Sequence, residues 1–341
     1  MGNTEKAPLL CSNCVLPGSF PGIRFNQEGL CNYCVDYKSK EAGVDAKSEY
    51  RERFEELISR YKGKYPYDLL MCYSGGKDST YTLSILRQRY ELNILALTFD
   101  NGFLSEFTPP NIRNVVENLG VDHIYYKPNT HVLGKIFRHC IDNDVYSMKA
   151  VERASNICTS CIGILKYSAL RFALEKDIPL IGFGWSPGQA PVTSSIIKNN
   201  PQMVRKMQAT IYNPLHRIAG DAINPYFVDE TFFSSHSFPC YVHPLAFLDY
   251  DEKDILRNIA SLGWTMPQDV DANSTNCILN SFANVAHKRR YGFHPYSYEM
   301  ANLVREGFIE RSEALDRLNR REDPHLLRYV GEKLDYPDLT A

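Results

Sequence analysis

The run Leu69 to Cys72 is apolar without a break and stops at Ser74-Gly75-Gly76, after which Tyr81, Leu83 and Leu86 follow a helix-like pattern. A short continuous apolar run reads as a strand buried on both faces, and the change of period marks the passage into a helix. The alternation continues. Asn93 to Phe99 reads as a strand, the stretch around Ile112 to Leu119 as a helix, His123 to Tyr126 as a strand, 131 to 177 as mostly helical and Pro179 to Phe183 as a further strand. Strands alternating with helical crossovers predict an α/β fold, a parallel sheet with helices on both faces. Upstream, Tyr50, Phe54, Leu57 and Ile58 give an amphipathic helix over 46–61. The stretch 190–243 shows no clear period, and with Lys198, Arg205 and Lys206 it reads as a lid or substrate-binding insertion. Helices resume at 251–262, 278–288, 295–306 and 310–320, while the tail from Leu326 gives no pattern. Three regions follow: 1–40, a 41–245 α/β domain, and a mostly helical 246–341 that completes the active site.

Strand, glycine turn and helix together aim backbone N–H groups and a helix N-terminus at an anion. Here the turn supplies Ser74, Gly75, Gly76, Lys77, Asp78 and Ser79: hydroxyl donors, two positions without a Cβ, and a compact positive charge. The GxxxxGK[ST] pattern of Walker loops is absent, as is a dinucleotide fingerprint. Asp78 has two open roles, organising Mg²⁺ or the loop and capping the helix. Asp100 ends the second strand on the same sheet edge as Ser74, where it either meets a nucleotide or caps the next turn. Gly184 opens a loop after the later strand, again on that edge.

Ten cysteines change the picture further. Cys11 and Cys14, then Cys31 and Cys34, form two tight pairs in a segment poor in apolar residues, which matches an all-thiolate, structural Zn²⁺ site, with an iron–sulfur centre or dithiol as alternatives. Cys158 and Cys161 open a helix, where N-terminal N–H groups lower thiol pKa values. A three-cysteine metal site there needs Cys277 or Cys240 as its third member. Cys72 and Cys140 read as core, and buried free cysteines are the plain alternative for the whole set.

Over 341 residues, 38 basic against 40 acidic side chains leave a net charge of −2, so no global field steers the chain to nucleic acid. The basic residues Lys288, Arg289, Arg290, Arg305, Arg311, Arg317, Arg320 and Arg321 form either an RNA-facing surface or a solvated helical face. A small-molecule or sugar-like acceptor is favoured over RNA. No run reads as long enough for a bilayer and no export signal is seen, so a cytoplasmic location without membrane insertion is expected. A homodimer is compatible with all of this.

The hexapeptide SGGKDS resembles the signature of the PP-loop ATP pyrophosphatases, which implies an adenine nucleotide alpha hydrolase-like fold. It also implies ATP and Mg²⁺ at 74–79 and a transferase that forms AMP and pyrophosphate by adenylating its acceptor. The order ICTSCIGILK, then HPLAFLDYDEKDILRNIASLGW, then Cys277 is similar to the iron–sulfur-dependent PP-loop tRNA thiolases. That likeness favours Cys277 over Cys240 and implies a 4Fe-4S cluster on Cys158, Cys161 and Cys277 that holds sulfur for transfer, with a sulfur donor as partner. A second likeness is to the N-acetyl sugar amidotransferases, carried by CSNCVLPGSFPGIRFNQEGLCNYC, FDNGFLSE and KRRYGFHPYSYEMANLVREGFIERSEAL. It implies ammonia from a glutaminase partner and an acetamidino product, although the mid-chain CTSC departs from it. A non-catalytic nucleotide-binding scaffold is the third reading.

Overall fold

The computed structural model describes residues 9–40, 46–235, 237–271, 273–336 and 339. Six strands, β1 (Leu69–Cys72), β2 (Ile94–Phe99), β3 (Asp122–Tyr126), β4 (Leu180–Phe183), β5 (Ile196–Ile197) and β6 (Cys240–Val242), form one sheet in the order β3-β2-β1-β4-β6-β5. All neighbours run parallel except β5 with β6. The helices are α1 (Asn32–Lys40), α2 (Ala46–Tyr61), α3 (Lys77–Gln88), α4 (Thr108–Leu119), α5 (Thr130–Asp142), α6 (Met148–Val151), α7 (Asn156–Glu175), α8 (Pro201–Ala219) and α9 (Glu230–Ser235), followed by α10 (Glu252–Ala260), α11 (Leu279–Tyr291), α12 (Ser297–Arg305), α13 (Arg311–Asn319) and α14 (Pro324–Lys333).

The central strands are apolar throughout because both faces are covered. Leu70, Cys72, Leu95, Leu97 and Ile181 pack under α5, α7 and α11. The alternate residues Leu69, Met71, Ile94, Ala96 and Leu180 pack under α2, α3, α4 and α10. The period of two along each strand thus divides one apolar run between two cores. The edge strand β3 is only half covered and carries Asp122 and His123. Strand order reverses on either side of β1, which leaves a crevice between the C-terminal ends of β1 and β4, the usual ligand position in such sheets.

A third apolar cluster lies outside these layers. Cys11, Cys14, Val15, Leu16 and Phe20 of the N-terminal knuckle pack with Phe293, Met300, Ala301, Leu303, Ala314 and Leu318. The knuckle is therefore seated on α12 and α13.

The structure departs from the sequence reading in three places. The stretch 190–243 contains the 19-residue helix α8, the strand β6 and the short β5. Pro201 occupies the first turn of α8 after the N-cap Asn200, Pro214 lies inside the helix, and Val204, Ile211 and Leu215 hold one face of α8 to the core. Its Arg205 pairs with Glu230 at 2.5 Å and lies over the Phe233 ring. The tail forms α14, capped by Asp323 and anchored by Val330. Finally, α7 is long and apolar enough to cross a bilayer by length and composition, the one such helix among the described residues, whereas no such run was expected. It is 56% buried under the sheet, and a core helix meets the same criterion.

Candidate active site at the sheet edge

The loop Tyr73–Gly76 leaves the buried end of β1 and turns into α3, with Gly76 as N-cap and no side chain capping the helix. Gly75 has φ +76°, and a Cβ there would lie 2.7 Å from Ile112 and 2.9 Å from Thr108. Its lack of a side chain thus admits α4 as well as the turn. At Gly184 the constraint is harder, since a Cβ would sit 2.3 Å from the Ser79 Cα. The loop after β4 is thereby pressed onto the first turn of α3, closing one wall of the crevice. Gly184 is a close-packing residue.

Within the loop, Ser74 Oγ accepts from the Gly76 N–H at 3.3 Å and lies 3.0 Å from Ser79 Oγ, while Ser79 donates to the Gly76 carbonyl. The Trp264 indole N–H donates to the Gly75 carbonyl at 2.9 Å and pins the turn. The Lys77 N–H, a free donor at the start of α3, is met at 2.8 Å by Thr275 Oγ1. A neutral hydroxyl oxygen there stands where an anionic phosphate oxygen is suited to bind.

Lys77 is buried, and its ammonium is enclosed by Tyr250 OH at 2.8 Å, Asp78 Oδ1 at 3.0 Å and Glu252 Oε1 at 3.4 Å. Tyr250 in turn donates to Asp78 at 3.0 Å, so Asp78 organises this cage and does not cap α3. Arg317 of α13 holds the other Glu252 oxygen at 2.7 Å. Burial favours the neutral form of Glu252, but Lys77 and Arg317 outweigh it and hold the carboxyl below its ordinary range. Burial pushes the Tyr250 phenol well above its usual value, with Asp78 and Glu252 adding to the rise. Glu299 of α12 takes a 2.6 Å hydrogen bond from Ser186 in the loop after β4. Burial pushes its carboxyl up to about 7, Ser186 opposes that, and the nearby Asp78 charge reinforces it.

Asp100, buried at the end of β2, accepts the Gly102 N–H at 2.8 Å and pairs with Lys127 at 3.0 Å. Of its two open roles, the turn cap is the one the structure displays. The next residue reaches further. The Asn101 amide donates toward Cys161 Sγ and Cys277 Sγ, 3.5 Å to each. Cys158 lies one turn before Cys161 on α7, where Ser155 caps its N–H, and the Asn280 amide lies 3.8 Å from its sulfur. Residues 103–105 and 276–278 run side by side, which brings Cys277 to α7. The three cysteines predicted as a set therefore share one end of α7.

Cys240 sits at the N-terminal end of β6, paired with Leu180, in the core on the opposite face. It is not part of this group. Cys72 and Cys140 are core residues.

The expectation of lowered thiol pKa values at the start of α7 is reversed. Burial pushes Cys158 up to about 11 despite the Ser155 and Asn280 hydrogen bonds, and it also raises Cys161 and Cys277. Desolvation outweighs the helix terminus because the half-buried cysteines pack against the apolar core. Metal coordination deprotonates such thiols outright.

The donor sets differ in size. Cys11, Cys14, Cys31 and Cys34 have all four sulfurs within 4.8 Å of one another, the one such group among the described residues. Their 3.8 and 3.7 Å contacts match the edge of a tetrahedron around an ion with bonds of about 2.3 Å, which fits Zn²⁺. Cys158, Cys161 and Cys277 are not that tightly drawn, and they have two amide donors facing their sulfurs, a donor set suited to a polynuclear iron–sulfur centre.

Several site residues escaped the sequence reading. Tyr250 and Glu252 lie within HPLAFLDYDEKDILRNIASLGW, Glu299 within KRRYGFHPYSYEMANLVREGFIERSEAL and Asn101 within FDNGFLSE, segments that carried a likeness without giving any of these four a role. Thr275 lies two residues before Cys277. The basic C-terminal residues are largely spent internally. Arg290 pairs with Asp144, Arg305 donates to Asn302, Arg311 donates to the Cys11 and Cys14 carbonyls, and Arg317 holds Glu252.

No protein-family model matches the chain. It is 22% identical over 329 residues to an uncharacterized protein of Methanocaldococcus jannaschii, spanning 96% of this chain and 98% of that one. Among solved structures it is similar to the U34-tRNA thiolase NcsA from Methanococcus maripaludis with its [4Fe-4S] cluster, at 16% identity and a TM-score of 0.37, covering 93% of this chain and 91% of that one. It is also similar to NMN synthetase from Francisella tularensis, at 12% identity and a TM-score of 0.34, covering 84% and 95%. A predicted subunit of a tRNA methyltransferase from Methanocaldococcus jannaschii gives 13% identity and a TM-score of 0.30, covering 68% and 92%.

Proposed function

We propose that this chain is an ATP-dependent sulfurtransferase of the PP-loop type. It adenylates a carbonyl or amide oxygen of a small, sugar-like acceptor and replaces that oxygen with sulfur. The observation that carries the reading is the segment Thr275–Cys277. Thr275 meets the N-terminal donor of α3, and two residues later Cys277 shares the Asn101 amide with Cys161, one turn along α7 from Cys158. One short segment thus ties the phosphate-binding turn to the thiols.

ATP phosphates take the place of the Thr275 hydroxyl at the Lys77 N–H, with Ser74, Ser79 and the Lys77 ammonium as further donors. Asp78 is the residue offered to Mg²⁺. Opening the Lys77 cage exchanges carboxylate and phenol partners for phosphate oxygens, so the buried charge is never left alone. The acceptor oxygen attacks the α phosphorus, and the bond to the bridging oxygen breaks as pyrophosphate leaves. Sulfur then attacks the activated carbon, and AMP departs with the acceptor's former oxygen. Cys158, Cys161 and Cys277 would hold an iron–sulfur cluster, whose chemistry would be to supply the sulfur. Glu299, whose carboxyl burial pushes up to about 7, is a group that can take up a proton near neutral pH.

A second reading, ammonia transfer to give an acetamidino group, has its own support. Two of the three segments that carry that likeness, the knuckle and 288–315, meet in the fold. Ser19 donates to the Gly292 carbonyl at 2.7 Å, Phe20 packs edge-on against Phe293 at 5.1 Å, and Arg311 holds the knuckle carbonyls.

Anaerobic purification with iron, acid-labile sulfide and zinc analysis separates the readings. About four irons and four sulfides beside one zinc per chain support sulfur transfer. Zinc alone after attempted reconstitution turns the assignment to nitrogen transfer. Nucleotide binding with no pyrophosphate release under either nucleophile leaves the scaffold.

A further inference from the structure

Helix α11 carries three polar side chains on its buried face. Asn280, Asn284 and His287 stand four and three residues apart and are 5%, 1% and 2% exposed, among Leu279, Phe282, Ala283 and Ala286. The two amides are linked in line, and His287 lies one turn beyond Asn284. The Asn284 amide donates to Glu322 Oε1 at 3.3 Å and to Asn280 Oδ1 at 3.2 Å, and the Asn280 amide reaches Tyr296 OH at 3.0 Å and Cys158 Sγ at 3.8 Å. Glu322 is half-buried and marks the outer end.

Along this seam, Asn284 Oδ1 and both ring nitrogens of His287 have no partner among the described residues. Leaving such atoms unpaired costs about 1–3 kcal/mol each, so three of them within one turn of helix imply a partner that both donates and accepts. Burial pushes His287 and the neighbouring His294 down to about 3, and both imidazoles are therefore neutral at neutral pH. A neutral guest suits neutral rings better than an ion does. The seam ends on a thiol of the cysteine group, and neither Asn280, Asn284 nor His287 is hydrogen-bonded to Lys77 or the turn 74–79.

From this we propose that the α11 seam is the entry path and holding site for a small neutral nucleophile, ammonia or hydrogen sulfide, moving from Glu322 to the Cys158 end of the thiol group. The inference rests on the transfer reading above and gives the nucleophile a route separate from that of ATP and acceptor.

Asn284→Leu keeps the volume and removes the middle donor and acceptor. With ammonium chloride or sodium sulfide as nucleophile and AMP as readout, it should raise the nucleophile KM about tenfold or more while kcat at saturation and the ATP KM stay near wild type. A second measurement needs no turnover. On the full-length chain before cluster loading, modification of Cys158 by methyl methanethiosulfonate should slow about tenfold in the variant, with Cys277 unaffected, read by peptide mass spectrometry. His287→Leu serves if Asn284→Leu does not melt cooperatively. Unchanged Cys158 labelling and unchanged nucleophile KM mean that the seam holds water only, and the proposal falls. Wild-type protein that forms no AMP with either nucleophile overturns the transfer reading, while the labelling experiment still decides the path.

Discussion

Glu299 is the side chain at this edge whose ionisation burial brings closest to neutrality, up to about 7 from an ordinary 4.5. Because the folded state holds this proton more tightly than the unfolded chain, its stabilising contribution is complete below about 4.5 and is lost as pH rises through about 7. Thermal melts should therefore show wild-type stability falling between pH 5 and 8, with a shallower fall in Glu299→Gln. Parallel slopes for the two proteins contradict this account. Gly184 yields a second prediction at the same scale. In Gly184→Ala the new methyl meets the Ser79 backbone at 2.3 Å, and overpacking of this kind costs about 1–3 kcal/mol. Both melting temperature and nucleotide affinity should drop, measured by calorimetry. A variant with native affinity would show that the crevice wall is soft. Neither residue could be singled out for these reasons from the sequence, because nothing near Glu299 in the chain is its partner and Gly184 is tight against a residue more than a hundred positions away.

At the scale of elements, α13 is a strut. Its first residue, Arg311, donates to the Cys14 and Cys11 carbonyls at 2.9 and 3.0 Å, and Arg317 on the same helix reaches Glu252 and through it Lys77. Hydrogen bonds from a charged group are worth about 1.5–3 kcal/mol when shielded, and Arg311 is half-buried. Arg311→Ala should loosen the knuckle, releasing zinc faster to a chelator, and weaken nucleotide binding several-fold without altering the cysteine ligands. Zinc release at the wild-type rate would remove the strut. The elements themselves were largely legible. The apolar run of β1, the period change into α3, and the strands β2 and β4 follow from pattern because local spacing and burial on both faces agree there, and the half-covered edge strand β3 was legible as well. Helix α8 was not, since Pro201 and Pro214 carry breaker signals that tertiary packing of Val204, Ile211 and Leu215 overrides. The two-residue β5 and three-residue β6 are too short to show a period.

For the whole molecule, the two metal-competent groups lie on different scaffolds: the knuckle on α12 and α13, the three-cysteine group between α7 and the Asn101 turn. Loss of one should leave the other. On the sulfur-transfer reading, Cys158→Ser is expected to abolish iron loading with zinc retained at about one per chain, whereas Cys240→Ser, in the opposite core, should leave the content of both metals unchanged. Equal iron loss in the two variants would contradict the grouping. The sequence alone determined the alternation of strands and helices, the glycine turn with Lys77, and which cysteines pair at short range, because each depends on residues within a few positions of one another. It also ranked Cys277 as the third thiol through the order of motifs, without the physical reason. Tertiary structure decided what long-range contact decides: Asn101 bridging Cys161 and Cys277, Tyr250 and Glu252 enclosing Lys77, Glu299 held near neutrality, and the orphaned amide and imidazole of α11. These depend on desolvation and on distances between residues far apart in the chain, and no local pattern encodes either.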